Sequence, residues 1–111
     1  SIAYFDSFQR VALNNGLNTN PQNYIISVGV GRILLIDNSE TDFNRLQFGG
    51  TTSSFPALKR SSTTIQARLA DDSGYAPIDA SLYKVGGTNG FKGTGSYTNF
   101  TIVGGIITNA S

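Results

Sequence analysis

The sequence predicts an all-β fold, and three observations support that prediction. The cleanest alternation of apolar and polar residues has the period of two that a half-buried strand requires, and it runs through residues 64–69, TIQARL. Turn signals such as Gly49-Gly50, Asn89-Gly90 and Gly104-Gly105 recur about every 8 to 12 residues, as in all-β proteins. Only 14% of the residues are charged, so Ser, Thr, Asn and Gly, which are poor in helix interiors, must cover much of the surface.

Residues 1–23 are predicted to form a short helix or an arm. Tyr4, Phe8 and Val11 have helical spacing, and Ser1 is available as a cap. The turn-rich residues from Asn14 to Pro21 favour an irregular or extended arm instead. The sequence leaves both interpretations open.

Residues 24–85 are predicted to form a β-rich body. Its first part, YIISVGVGRILLID, predicts two strands or one bent strand, because Gly29 and Gly31 interrupt the aliphatic residues. The next part, FNRLQF, alternates as a half-buried strand and ends at Gly49-Gly50.

A hairpin is predicted over residues 55–69, with a turn of small hydroxyl residues at 61–63. Pro56 cannot donate to a ladder, so the first half of this hairpin is expected to be an edge or loop-like strand. Residues 86–111 form a Gly-rich β segment with short strands in YTNFTIV and GIIT. At 111 residues the chain is expected to be a single module.

The composition argues against several partners and cofactors. The net charge is +1 and no basic block is present, so no nucleic-acid partner is expected. The longest apolar run, residues 33–36, is far shorter than the ~20 residues that cross a bilayer, so we expect a soluble chain without membrane insertion. Because Cys and His are absent, the candidates for catalysis are reduced to carboxylates, lysines and tyrosines, and we expect no metal, no cofactor and no catalytic residue.

The charges of the predicted hairpin raise a question of pairing. Within one hairpin, Asp71 and Asp72 are expected at the open end, away from Lys59 and Arg60. A single copy would then leave both cations without obvious partners, whereas a second chain could present its carboxylates to them. A solvated charged face is the alternative.

Two segments resemble bacteriophage tail-fibre proteins. Residues 46–80, LQFGGTTSSFPALKRSSTTIQARLADDSGYAPIDA, are similar to a recurring fibre segment in which a GG-TSSFPALKR block precedes a polar turn and an RLADDS-AP block. Residues 90–111, GFKGTGSYTNFTIVGGIITNAS, resemble the ends of phage fibres and other virion appendage proteins. The chain departs from the first pattern at Ser62, where glycine is frequent, and at Ala67, where a larger aliphatic residue is common.

The resemblance implies an elongated, intertwined, homotrimeric fibre module in the virion tail, with identical chains and other virion tail proteins as partners. It implies a structural and adhesive, non-enzymatic role at the host surface. For the trimer interface we predict a shared apolar core at Phe55, Leu58, Ile65 and Leu69. Polar contacts between chains are predicted at Lys59, Arg60, Asp71 and Asp72.

The tip loops around residues 86–99 are the predicted place of contact with a host glycan or protein. Candidate receptor contacts are Asn89, Phe91, Tyr97 and Asn99, since aromatic rings stack on sugar faces and amides bond hydroxyls.

Two other functions stay open at this point. One is a monomeric carbohydrate-binding β-sandwich, favoured by the richness in Tyr, Asn and Thr. The other is a fragment of a polysaccharide-degrading tailspike, in which Asp71 would act with Asp42 or Asp79 as a carboxylate pair. A DDSG sequence is also a common turn composition, in which Asp binds nearby backbone N–H groups.

Overall fold

The computed structural model describes residues 3–15 and 20–111, and every regular element in these residues is a strand. The all-β prediction is therefore confirmed. The strands are β1 (Ala3–Phe5), β2 (Val11–Leu13), β3 (Asn23–Gly29), β4 (Arg32–Asp37), β5 (Arg45–Gln47), β6 (Pro56–Ser61), β7 (Thr64–Leu69), β8 (Lys84–Val85), β9 (Thr88–Asn89), β10 (Phe100–Val103) and β11 (Ile106–Ala110). The chain forms two compact units, Ser1–Pro77 and Ile78–Ser111.

The first unit begins with an antiparallel sheet in the order β1-β2-β3-β4. The predicted N-terminal helix is wrong here, because β1 and β2 form a hairpin. Asp6 closes its turn: the carboxylate Oδ1 accepts hydrogen bonds from the backbone N–H groups of Phe8 (3.0 Å) and Arg10 (2.9 Å). An aspartate that satisfies nearby N–H groups in this way competes with helix formation. Residues 1–2 and 16–19 of the predicted arm lie outside the described residues.

The β3–β4 hairpin confirms the prediction of two strands. Val30 and Gly31 form its turn, and Gly31 has a φ of 74°, which glycine adopts without steric cost. Strand β2, which pairs with β1 on its other side, reaches only the first half of β3, Asn23–Ile25. Beyond that point β3 and β4 pair only with each other, so the outer half of the hairpin is a two-stranded ribbon. We call residues 26–34 the ribbon.

A small core lies on one face of this sheet. Ala12, Tyr24 and Ile36 are buried next to one another, and Ile26 packs against them. The Arg10 guanidinium stacks over the Tyr24 ring, with its central carbon 3.9 Å from the ring centroid. Arg10 also pairs with Asp6 and Glu40, both at 2.5 Å, and so ties the β1–β2 turn to the loop after β4.

The second sheet of this unit has the order β5-β6-β7 and two different faces. Side chains of directly paired residues lie on the same face of an antiparallel sheet, so the register assigns each paired residue to one of the two faces. The polar face carries Arg45, Gln47, Ala57, Lys59, Gln66 and Arg68. The apolar face carries Leu46, Pro56, Leu58, Ile65, Ala67 and Leu69, with Arg60 beside Ile65, and Phe48 joins it because its N–H donates to Pro56 O.

Strand β6 is the central strand, so the expectation of an edge strand around Pro56 is wrong. Pro56 is the first residue of β6, where the missing N–H is tolerated. The β6–β7 turn places Ser62 at a φ of 53°, a left-handed conformation that glycine adopts without steric cost. The second half of the outer edge of β7 is covered, since Arg68 bridges to Tyr75 and the Ala76 N–H donates to Ala67 O. No described strand pairs with the outer edge of β5.

The second unit contains two small antiparallel hairpins, β8–β9 and β10–β11. Glycine pairs form their turns, Gly86-Gly87 and Gly104-Gly105, as the sequence predicts. The Phe91 N–H donates to Ile107 O at 2.6 Å, which links the residues after β9 to β11. The prediction of a single module with three segments stays a prediction.

Candidate assembly surface

The polar face of the β5–β7 sheet is covered by residues 70–75, which we call the return segment. Ala70 O accepts hydrogen bonds from Arg45 Nε (2.8 Å) and Gln47 Nε2 (2.7 Å), so two long polar side chains end on one carbonyl. Ala70 N–H in turn donates to Phe55 O at 2.8 Å. Ala57, in the middle of this face, is only 2% exposed. The covered face of the sheet is therefore the polar one.

An ion-pair cluster holds the return segment at its centre. Asp72 accepts from Lys59 Nζ (2.5 Å) and from Arg68 Nε (2.7 Å). Arg68 also lies over the Tyr75 ring, 4.5 Å from its centroid. The hydrogen bond from Lys59, followed by that from Arg68, lowers the pKa of Asp72 to about 2. The carboxylate is thus ionised at every ordinary pH.

The expectation that a single copy leaves Lys59 and Arg60 unpaired is wrong. Asp72 adopts a φ of 64°, so the chain turns back and brings the carboxylate over the polar face to Lys59. Arg60 pairs with Asp42 at 2.7 Å, and this bond lowers the pKa of Asp42. Contacts of these charges with a second chain stay a prediction.

Asp71 has a local role in this arrangement. Its Oδ1 accepts from the Ser73 hydroxyl (2.6 Å) and the Ser73 N–H (3.0 Å), and these bonds lower the pKa of Asp71. This is the turn use of Asp that the DDSG composition indicates. The structure does not bring Asp71 to Lys59 or Arg60 in the same chain; those cations use Asp72 and Asp42.

The apolar face is open to solvent on a single chain. Ile65 is 69% exposed and Leu58 45% exposed, and Leu46 and Phe48 beside them are also exposed. Leu69 is half-buried. Three residues of the predicted shared core, Leu58, Ile65 and Leu69, therefore lie together on one continuous face.

Phe55 precedes β6, outside the group of three, and its ring explains the preceding glycine pair. A Cβ atom on Gly49 would lie 2.9 Å from Phe55 Cδ1, and one on Gly50 would collide with the same ring. Gly49 also has a φ of 90°, which favours glycine. The Phe55 ring therefore packs directly on the backbone of Gly49 and Gly50, which explains the two glycines between Phe48 and Phe55 in the sequence.

Leu46, Phe48 and Arg10 are important residues that sequence reasoning missed. The alternation in FNRLQF places Leu46 and Phe48 on one side of a strand, but only the register with β6 shows that Leu58 lies on the same side. For Arg10, the one available signal is its position four residues after Asp6.

The predicted receptor residues belong to the second unit and separate into two groups. Phe91 and Tyr97 pack edge to face, with centroids 5.3 Å apart and ring planes at 86°. Tyr97 OH donates to Thr94 O at 3.0 Å, and a Cβ on Gly93 would meet Phe91 Cζ at 2.6 Å, so the loop is wrapped tightly around the ring pair. Asn89 and Asn99 lie instead on β9 and beside the chain end, where Asn99 exchanges backbone hydrogen bonds with Ser111.

A hollow of about 300 Å³ lies next to this loop. Its lining includes Tyr83, Phe91, Lys92, Ile106 and Ile107. Apolar walls with one cation and a few hydroxyl groups can hold a small polar ligand only through a limited number of directed bonds. Phe91 is the predicted receptor residue that lines this concavity.

The described residues offer little else for catalysis or metal binding. Across residues 3–15 and 20–111, no three side chains of the His, Cys, Asp and Glu types cluster as metal ligands would. In the same residues, no helix has the length and apolar character needed to cross a membrane. Comparison with protein-family models, with curated proteins and with solved structures finds no significant match to this chain.

Proposed function

We propose that this chain is a structural and adhesive, non-enzymatic module of a bacteriophage tail fibre, and that it works as a homotrimer. The sequence resemblance suggests the setting, and one observation supports the assembly. The β5–β7 sheet turns its polar face to its own return segment and leaves its apolar face in water. A second copy of the chain is a natural cover for such a face.

The exposed area supports the same proposal. The chain exposes 8228 Å², whereas a compact monomer of its mass would expose about 5,900 Å² and two separately compact pieces of its two lengths about 7,000 Å². In the described residues the buried apolar side chains are Ala12, Tyr24, Ile36, Ala57 and Ala70. So small an interior favours a chain that shares its core with identical neighbours.

The mass in solution tests the proposed assembly. Size-exclusion chromatography with light scattering on the full chain is expected to give about three times 11.8 kDa at micromolar concentration. If the chain instead has the mass of a single copy and melts cooperatively at a temperature that does not depend on concentration, the homotrimer is contradicted. That result favours a monomeric carbohydrate-binding module.

The adhesive part of the proposal concerns the second unit. Phe91 lines the hollow beside Lys92, so a glycan array probed with the full chain is expected to lose its signal when Lys92 is replaced by Ala. Thr88→Ala, an exposed change on β9, is the control and is expected to keep the signal. If the chain binds no glycan on the array, a glycan receptor is excluded and a host protein remains the proposed receptor.

A further inference from the structure

The ribbon is the most exposed apolar feature of the first unit. Val30 at its tip is 105% exposed, and Val28, Ile33 and Leu34 are exposed beside it. Neither strand of the ribbon has a further partner strand in the described residues. Because a two-stranded hairpin is at best marginally stable alone in water, this ribbon gains from contact with another surface.

The tip of the ribbon is apolar and held in one shape. The turn is Val30-Gly31, so its first residue is a valine at a position where Asn, Asp or Gly is common. The only charge in the ribbon belongs to Arg32, whose Nη2 donates to Val28 O at 2.8 Å and whose guanidinium lies against Gly29. The cation is therefore folded onto the backbone and leaves the valines outermost.

The same unit contains a second unpartnered apolar surface of a different form. The apolar face of the β5–β7 sheet is broad, with Leu46, Leu58 and Ile65 exposed across all three strands. Both surfaces are exposed in the single chain, so they do not cover each other within it. Between two copies, a narrow ribbon of one chain can lie on the broad face of the next.

We propose that the ribbon of each chain packs on the apolar face of a neighbouring copy. This inference rests on the proposed homotrimer and specifies its contact as heterologous, meaning that two different patches meet. A heterologous contact closes into a ring when the rotation between copies allows it, and three copies then use three identical contacts. Every ribbon and every apolar face in the ring is covered once.

The exposed area of the chain is large enough for contacts with other copies. A standard interface takes about 800 Å² from each partner. The surplus of exposed area over a compact chain, about 1,200 to 2,300 Å² according to whether the two units are counted as separate pieces, is enough for one to three such patches. A heterologous ring needs two patches on each chain.

The apolar face carries one exposed cation, Arg60, which is paired with Asp42. Arg32 makes the ribbon cationic. Asp42, whose side chain is 55% exposed although it pairs with Arg60, places a carboxylate at the border of the apolar face. Because Arg60 shares a row of that face with Ile65, the carboxylate lies within reach of a ribbon that packs there.

A mixing experiment tests the proposal with two variants, Val30→Asp in the ribbon and Leu58→Asp in the face. Both side chains are exposed in the single chain, so each variant is expected to fold. Each variant alone is expected to have the mass of one chain. An equimolar mixture is expected to form a species of two chains, because the intact ribbon of one variant still fits the intact face of the other while the ring cannot close.

Thr64→Asp is the matched control, because this exposed position is on the polar side of the same hairpin. It is expected to keep the mass of the unchanged chain. If Val30→Asp also keeps that mass, the ribbon is not in the contact and the inference is overturned. If the unchanged chain has the mass of a single copy, the proposed homotrimer itself is refuted. Failure of the ribbon contact and failure of the homotrimer therefore give different results.

Cross-linking provides a second measurement that does not depend on the strength of a single contact. The chain contains no cysteine, so engineered cysteines give an unambiguous result. Val30→Cys chains mixed with chains carrying Cys at position 46, 58 or 65 are expected to form disulfide-linked pairs on oxidation, and no single variant alone is expected to do so. Absence of a mixed species in both experiments overturns the proposal.

Discussion

The two sheets of the first unit cover opposite kinds of face. The β1–β4 sheet buries apolar side chains, with Tyr24 and Ile36 at the centre of its core. The β5–β7 sheet covers its polar face instead and leaves Leu58 and Ile65 in water. Alternation along a strand therefore predicts that two faces exist, but it does not predict which of them the chain itself covers.

The difference has a physical cause in the side chains of the polar face. Arg45, Lys59 and Arg68 are long, and each ends on an oxygen of the return segment. All three charged groups are hydrogen-bonded, and Lys59 and Arg68 also form ion pairs with Asp72, so covering this face does not leave a charged group without a partner. Four sets of variants test the comparison, from the largest expected effect to the smallest.

The core of the β1–β4 sheet is expected to be the most sensitive site. Tyr24→Ala removes a buried ring that also supports the Arg10 guanidinium, and it should lower the free energy of unfolding by about 3 kcal/mol. Urea unfolding at a fixed low protein concentration measures the change. Phe5→Ala, an exposed aromatic of the same sheet, is the control and should change it by less than about 0.5 kcal/mol. Equal losses would mean that Tyr24 is not at the centre of a core.

The two alanines of the β5–β7 sheet distinguish its faces directly. Ala57→Leu forces extra volume under the return segment and should destabilise the chain by about 2 kcal/mol. Ala67→Leu makes the same change on the open face and is expected to be nearly neutral in a dissociated chain. Differential scanning calorimetry on both variants checks this. If the order of the two effects is reversed, the assignment of covered and open faces is wrong.

Gly50→Ala tests the packing of Phe55 against the Gly49-Gly50 backbone. The new methyl group collides with the Phe55 ring and should cost about 1 kcal/mol. In a Phe55→Leu background the cost should shrink, because the colliding ring is gone. Gly74→Ala is the control, since its Cβ would meet only Leu69 Cδ1, at an ordinary distance of 3.6 Å. Equal costs with and without Phe55 would exclude the ring as the cause.

Asp72 is expected to give the polar face an acid-sensitive stability. Its pKa is about 2 in the folded chain against an ordinary value of 3.8, so the folded state favours the ionised carboxylate. The stabilisation is complete above about pH 5 and is lost as the pH falls towards 2. Thermal midpoints measured from pH 6 to pH 2 should fall more steeply for the unchanged chain than for Asp72→Asn.

Lys59→Met sharpens this last test. Removing Lys59 raises the pKa of Asp72 towards its ordinary value, so the acid-dependent part of the stability should become smaller. It should not disappear, because Arg68 still donates to Asp72. Parallel curves for all three chains would show that Asp72 does not carry the pH dependence.

The sequence predicts the strands better than it predicts the contacts of the candidate surface. Alternation and glycine pairs locate the hairpins, because side-chain direction and turn conformation are local properties. The grouping of Leu58, Ile65 and Leu69 also follows from local pairing. The prediction of an N-terminal helix is wrong because the Asp6 carboxylate accepts hydrogen bonds from two backbone N–H groups. These bonds stabilise a turn in place of the helix that the apolar spacing indicates.

The polar cluster could not be predicted from the hairpin alone. Its geometry depends on the left-handed conformation of Asp72, which returns the chain over the strands it has just left. Aspartate adopts this conformation only in some turns, and neither alternation nor charge spacing indicates it. The same limit applies to Arg10, whose partners Asp6 and Glu40 are far apart in the sequence.

The partly covered outer edge of β7 has a consequence for aggregation. Uncontrolled polymerisation of β proteins proceeds by adding strands to exposed sheet edges. In the β5–β7 sheet, residues 74–76 occupy the outer edge of β7 from Ala67 to Leu69. A strand added at this edge could pair only with the first three residues of β7, Thr64–Gln66. So short an edge is a poor template for growth into a fibril.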